Sequence, residues 1–129
     1  YDVITIVAVA DDSEMIRIAV AGGGDPTLIT SRYDGTALIA AAHLGHDEVV
    51  KTLIKSGAPL DHVNNLNWTA LIEAIVLGDG GLRHTETLRA LVAAGAVPLG
   101  QLFVAAKRSA RAQDRRLALI GRHGAQPVP

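Results

Sequence analysis

Apolar positions along the chain fall in clusters spaced by three and four residues, and the clusters come in pairs. Leu38, Ala41 and Ala42 form one cluster, followed by Val49, Val50, Leu53 and Ile54. Leu71, Ala74 and Ile75, then Thr87, Leu88, Leu91 and Val92, repeat the arrangement. Spacing of this kind puts each set on one face of a helix. Gly45 and Gly57 stand just past the last apolar position of each helix in the first pair. A glycine there can take the left-handed conformation that ends a helix. Asp47 and Glu48 follow in the first turn of the next helix, where carboxylates suit the dipole. Each pair is therefore predicted to be a short helix, a tight turn, a second helix and a glycine stop.

The words recur as well as the pattern. "TALIAAAHLGH" begins at Thr36 and "TALIEAIVLGD" at Thr69, 33 residues later. A period in this range marks a protein built from stacked repeats. The template also fits upstream, with Ile4, Val7 and Ala8, then Met15, Ile16, Ala19 and Val20, ending in "AGGGD". Downstream it fits more loosely, through Leu99, Leu102 and Phe103, then Leu117 and Ile120, with Arg116 and Gly121 in apolar slots. The units fall at approximately 2–34, 35–67 and 68–96, with a degenerate capping unit at 97–127, in a single domain over 1–129. Between units lie "PTLITSRYDG" and "PLDHVNNLNW", marked by Pro, Asn, Asp and Gly, which a helix does not cross easily. They predict projecting, hairpin-like fingers. Asp34 and Asn67 occupy matching places and tolerate positive φ, so both fit a turn. Gly95 to Val97 spans 2 residues where the equivalent intervals span 13 and 12. Of a true deletion and a stretch of about ten missing residues, the second is the preferred reading.

At these residues the chain resembles the ankyrin-repeat family. The family word T-P-L-H-x-A-A-x-x-G-H is met by "TALIAAAHLGH", and its G-A-D by "GAP" after Ser56 and by "GGD" at Gly23–Asp25. The resemblance covers residues 2–96 well and 97–127 weakly. The family's Pro is Ala37 and Ala70 here, and its His is Ile39 and Ile72, so the family's Thr–His side-chain hydrogen bond is lost in both units. "TAL" and the long turn "LGDGGLRH" resemble the bacterial type. The resemblance implies the finger geometry and an L-shaped cross-section. The expected fold is an all-α ankyrin-repeat solenoid of about four helix-turn-helix units.

Composition narrows the chemistry. Of 129 residues, 49% are hydrophobic but only 3% aromatic, so Ala, Leu, Ile and Val must build the core. There is no cysteine, which excludes disulfides, thiolate metal sites and cysteine nucleophiles and leaves the compartment open. No apolar run approaches the roughly 18–20 residues of a membrane span. "VITIVAVA" (3–10) has neither the basic flank nor the cleavage site of a signal peptide. The chain opens on Tyr1 rather than Met, so residues are expected to precede it. Residues 1–96 hold 6 Lys/Arg against 12 Asp/Glu, and residues 97–129 hold 6 against 1. The acidic body mildly favours a partner with a basic patch.

Several motifs invite chemistry and are better explained by structure. His43, His46 and Asp47 resemble an H-x-x-H metal site, but Gly45 turns the chain between the histidines, and a real site needs three or four ligands. "AGGGDP" ends a helix, whereas a phosphate loop opens one. Glu73 with Glu86, or Asp11 with Asp12, read as an acidic solvated face rather than an acid–base pair. "KRSARAQDRR" (107–116) is threaded by Leu99, Leu102, Phe103, Ala106 and Ala110. That periodicity makes its charges the polar face of a terminal capping helix. The lack of neighbouring aromatics argues against nucleic acid.

The inner-helix positions that turn away from the core are Ala40, His43 and Leu44, then Glu73, Val76 and Leu77. Their mixture of apolar residues with one His and one Glu is unlike a purely solvated face. Arg32, Tyr33, Asn64, Asn65, Leu66 and Trp68 are expected at the finger tips, and exposed aromatics and Arg are common interface anchors. The expected function is non-catalytic binding of another protein through a concave groove, with Tyr33, Arg32, His43, Leu44, Asn65, Trp68, Glu73, Val76 and Leu77 as contacts. The "DGGLR" insert (79–83) is a second contact site or a tolerated loop. A monomer is expected, without cofactor, metal, nucleic acid or membrane span. The alternatives are a regulatory or targeting segment of a larger protein and anionic-surface binding through the basic C-terminal helix. An enzyme using the His residues is the rival from another class.

Overall fold

The computed structural model describes residues 2–96, which form six helices and, among the described residues, no strand. The helices are α1 (Val3–Val9), α2 (Ser13–Ala21), α3 (Ala37–Leu44), α4 (Asp47–Lys55), α5 (Ala70–Val76) and α6 (Leu82–Ala93). The expected fourth unit, its basic helix and the missing finger lie outside the described residues.

Local chemistry starts each element. Asp2, Asp12, Thr36 and Thr69 are N-caps whose side chains accept from the backbone N–H three residues on. Each satisfies one of the donors that a helix start leaves unpaired. Thr36 and Thr69 keep this role although the His that would usually pair with such a Thr is Ile39 and Ile72. α3 ends at Gly45, whose φ of 70° is left-handed. A Cβ there would also meet the ring of His84 at 2.7 Å, so glycine is required twice over. The insert before α6 is shorter than its sequence suggests: Leu82 and Arg83 form the first turn of α6, leaving only Asp79–Gly81 as loop.

Packing follows the repeat. α1, α3 and α5 form an inner row and α2, α4 and α6 an outer row, each helix touching its neighbours in the row and its own partner. Ile4, Ile16, Leu38, Val49, Val50, Leu53 and Leu91 are fully buried between them. A buried side chain of this size contributes roughly 1.5–3 kcal/mol. Ile75 and Val92, expected in the core, are exposed, as is Met15. The cause is position in the stack. Ala42, one period before Ile75, has a repeat on both sides and is buried. α5 and α6 pack on one side only, against α3 and α4, among the described helices. The first repeat shows the converse, with Val3, Ile6 and Ile18 exposed.

The fingers are hydrogen-bonded turns. Thr30 N donates to Gly35 O at 3.0 Å and Asn64 N to Trp68 O at 3.0 Å. Asp34 (φ 55°) and Asn67 (φ 64°) take the left-handed turn position foreseen from their residue type. The two fingers are joined, Asn65 N donating to Tyr33 O at 2.8 Å and the His62 ring lying 2.7 Å from Asp34 O.

Candidate functional site

Between the inner helices and the fingers lies a cavity of about 190 Å³. Val9 of α1, Ile39, Ala40 and His43 of α3, and Tyr33 of the first finger form its walls. Ser31, Asn64 and Glu73 supply its polar lining.

Its shape comes from two pairs of positions one period apart. Ser31 corresponds to Asn64 and Ala40 to Glu73. Ser31 Oγ accepts from Tyr33 N and Gly35 N at 3.2 and 3.0 Å. Asn64 Oδ1 does the same work in the next finger, accepting from Leu66 N at 2.9 Å and Trp68 N at 3.1 Å. Asn64 has an amide to spare, and its Nδ2 donates to Glu73 Oε1 at 3.0 Å. The first position of each pair is small, which leaves room, and the second is polar.

The consequence is a buried carboxyl group. Glu73 is only 4% exposed. Its Oε1 is held by Asn64, and its Oε2 has no hydrogen-bond partner among the described residues. His43 Nδ1 stands 3.3 Å from Oε2, within charge-pair range but without hydrogen-bond geometry. A buried carboxyl oxygen without a hydrogen bond costs free energy.

Glu73 and Asn64 therefore differ from the expectation of an exposed face and an exposed tip: both are buried, and they are buried together. The remaining expected contacts are accessible to different degrees. Arg32, Tyr33, His43, Leu44, Asn65, Val76 and Leu77 are exposed, whereas Trp68 is half-buried. The Arg32 guanidinium lies over the Tyr33 ring, 5.3 Å from its centre, a cation–π arrangement. His43, Leu44, Val76 and Leu77 share the C-terminal ends of α3 and α5.

At the opposite end of the finger-to-turn axis, side chains tie successive repeats. His46 Nδ1 lies 3.0 Å from Ala8 O, and His84 Nε2 lies 2.9 Å from His43 O. His46 is thus engaged with the preceding repeat's backbone rather than with His43. Among the described residues, no group of three or more His, Asp or Glu is arranged to hold a metal ion. Arg83 of the insert spans three repeats. Its Nη1 and Nη2 donate to Asp11 at 2.8 and 2.9 Å, and its Nε donates to Asp47 at 2.9 Å. The Arg83 hydrogen bond holds the Asp11 carboxyl below its ordinary value of 3.8, and the two carboxylates push Arg83 up. Gly81 N–H and His84 lower Asp79 in the same way. None of this strap was foreseen, because Asp11 and Arg83 are 72 residues apart in sequence.

Among the described residues, no helix is long and apolar enough to cross a membrane. A family model for ankyrin repeats, in three copies, matches residues 4–99. YahD of Escherichia coli (strain K12), named for its ankyrin repeats, is 35% identical over 89 residues, which is 68% of this chain and 44% of YahD. Glycerophosphocholine phosphodiesterase gde1 of Schizosaccharomyces pombe is 30% identical over 105 residues, 80% of this chain but 9% of gde1. The chain thus spans less than half the length of either curated relative. An ankyrin repeat domain from Acinetobacter baumannii AYE superposes with a TM-score of 0.69 at 43% identity, over 74% of this chain and 48% of that one. The human ASB11 ankyrin repeat domain gives 0.65 at 21% identity, over 75% and 41%, a likeness of fold alone.

Proposed function

This chain belongs to the ankyrin-repeat family, and we propose that it binds another protein, without catalysing a reaction, through the groove between its inner helices and fingers. Ankyrin repeats are generally protein–protein interaction modules. The observation that carries the finer reading is a row of apolar side chains left exposed at the C-terminal ends of the inner helices. Leu44, Val76 and Leu77 are each more than 40% exposed, and Tyr33 is exposed on the first finger, before the N-cap of α3. Their backbone is already fixed by caps and finger-to-finger hydrogen bonds, so docking orders little and loses little entropy. Tyr33 with Arg32 stacked on it is a rigid anchor of the kind that dominates interface energetics. The acidic body, 6 Lys/Arg against 12 Asp/Glu over residues 1–96, favours a basic partner surface and faster encounter with it.

Affinity capture with matched variants tests this. Baits carrying Tyr33→Ala with Leu44→Arg, or Val76→Arg, alter the groove. A bait carrying Lys51→Glu and Arg17→Glu alters the outer helices, where both side chains are exposed or half-exposed. A protein retained by the wild type and the outer-face bait and lost from both groove baits is the expected result. Equal retention by all baits would refute the groove. Glu73→Arg is unsuitable here, since burying a guanidinium tests folding and not contact.

A further inference from the structure

We infer that the cavity above Glu73 is a specificity pocket for one long basic side chain, Lys or Arg, presented by a protein partner. This deepens the groove reading and rests on it.

Three observations converge. The first is the floor: Glu73 lines the cavity with a carboxyl group 4% exposed, clamped through Oε1 by Asn64, whose Oε2 has His43 Nδ1 at 3.3 Å and lacks a hydrogen bond among the described residues. The clamp matters because it leaves the second oxygen oriented, and an oriented buried carboxylate forms strong charge-assisted hydrogen bonds. The second is the wall. Val9, Ile39 and Ala40 are aliphatic and border the same space. A basic side chain lays its methylene stem along such a surface while its charged end reaches the polar site. The third is size. About 190 Å³ is many times the volume that holds one water, so the cavity is more than a hydration site for one oxygen.

The neighbouring cations have other positions. Arg32 lies over the Tyr33 ring, and His43, half exposed, flanks Oε2 at 3.3 Å. The repeat comparison bears on the same residues. Where the first finger and α3 have Ser31 and Ala40, the second finger and α5 have Asn64 and Glu73, and all four line the cavity. A neutral apolar side chain would fill the walls but leave Oε2 unpaired, and an acidic one would meet like charge.

The test is an amide-resolved NMR titration of the whole ¹⁵N-labelled chain with four small probes. N-acetyl-arginine methylamide and N-acetyl-lysine methylamide carry the charge; the citrulline and norleucine equivalents do not. The basic probes are expected to produce saturable shifts at the amides of Thr36, Ala40, His43 and Glu73, with a dissociation constant on the order of 1 mM. The neutral probes should not saturate. Glu73→Gln keeps the shape and the Asn64 contact and should weaken basic-probe binding about tenfold or more, the loss expected of a hydrogen bond to a charged group. Ala40→Leu fills space in the cavity, leaves Glu73 in place and should have the same effect. Each variant's own spectrum reports whether it is folded. Equal responses to citrulline and arginine, no saturable shift with either basic probe, or undiminished binding by both folded variants would overturn the assignment. That failure is separable from failure of the groove, because the Val76→Arg capture bait alters no residue that lines the cavity.

Discussion

At the scale of single residues, Asn64 does more than its place in a finger suggests. Its side chain closes the turn through two backbone N–H groups and holds a buried carboxyl group through its amide. Asn64→Ala should therefore destabilise the protein by about 1–3 kcal/mol, read from urea unfolding, because three bonds go and a buried group loses its partner. Ser31→Ala, at the equivalent place in the other finger, removes two bonds and strands no carboxyl group, so it should cost less. The Arg83 strap makes a pH-dependent prediction. The folded-state value of Asp11 is lowered, so its pairing stabilises the fold above the ordinary 3.8 and is lost as pH falls through the lowered value. Both side chains are substantially solvated, and the contribution is at most about 1 kcal/mol. Arg83→Met should be the less stable protein at about pH 6, with the gap closing by about pH 2. A gap unchanged across that range would mean the strap acts by packing alone.

At the scale of elements, much was legible. The clusters spaced by three and four gave the six helices of the described residues, because a helix that packs on one side must keep its apolar residues on that side. Thr36 and Thr69 marked helix starts, and Gly45 a stop, through chemistry local to a few residues. Thr36→Ala and Thr69→Ala should each cost about 1 kcal/mol in chemical denaturation. What periodicity misjudged was degree of burial. It placed Ile75 and Val92 in the core with Ala42 and Leu53, since spacing reports a face and not what covers it. Leu53→Ala should cost about 2–5 kcal/mol, whereas Val92→Ala, at a residue 59% exposed, should cost well under 1 kcal/mol. The burial of Glu73 was hidden for a related reason. On one helix it occupies a polar-facing position, and only the second finger, through Asn64, closes over it.

At the scale of the whole molecule, the three helix pairs among the described residues stack so that inner helices form one row and outer helices another. Ties between repeats come from side chains far apart in sequence, such as His84 to His43 O and Arg83 to Asp11 and Asp47, and no pattern in a single chain announces them. Stacking of this kind fixes the relative placement of Tyr33, Leu44 and Val76 without help from a ligand. On the proposed groove reading this is a preorganised surface whose occupant is to be found at those residues. Site-specific photo-crosslinking reads that directly. A benzophenone amino acid is placed at Leu44 or Val76 in one set of proteins and at Lys51 or Arg17, on outer helices, in another, and each is irradiated in the cells that make the protein. The stacked-groove account predicts a discrete adduct to one partner protein from positions 44 and 76 and none from 51 and 17. Adducts arising only from the outer-helix positions would contradict it.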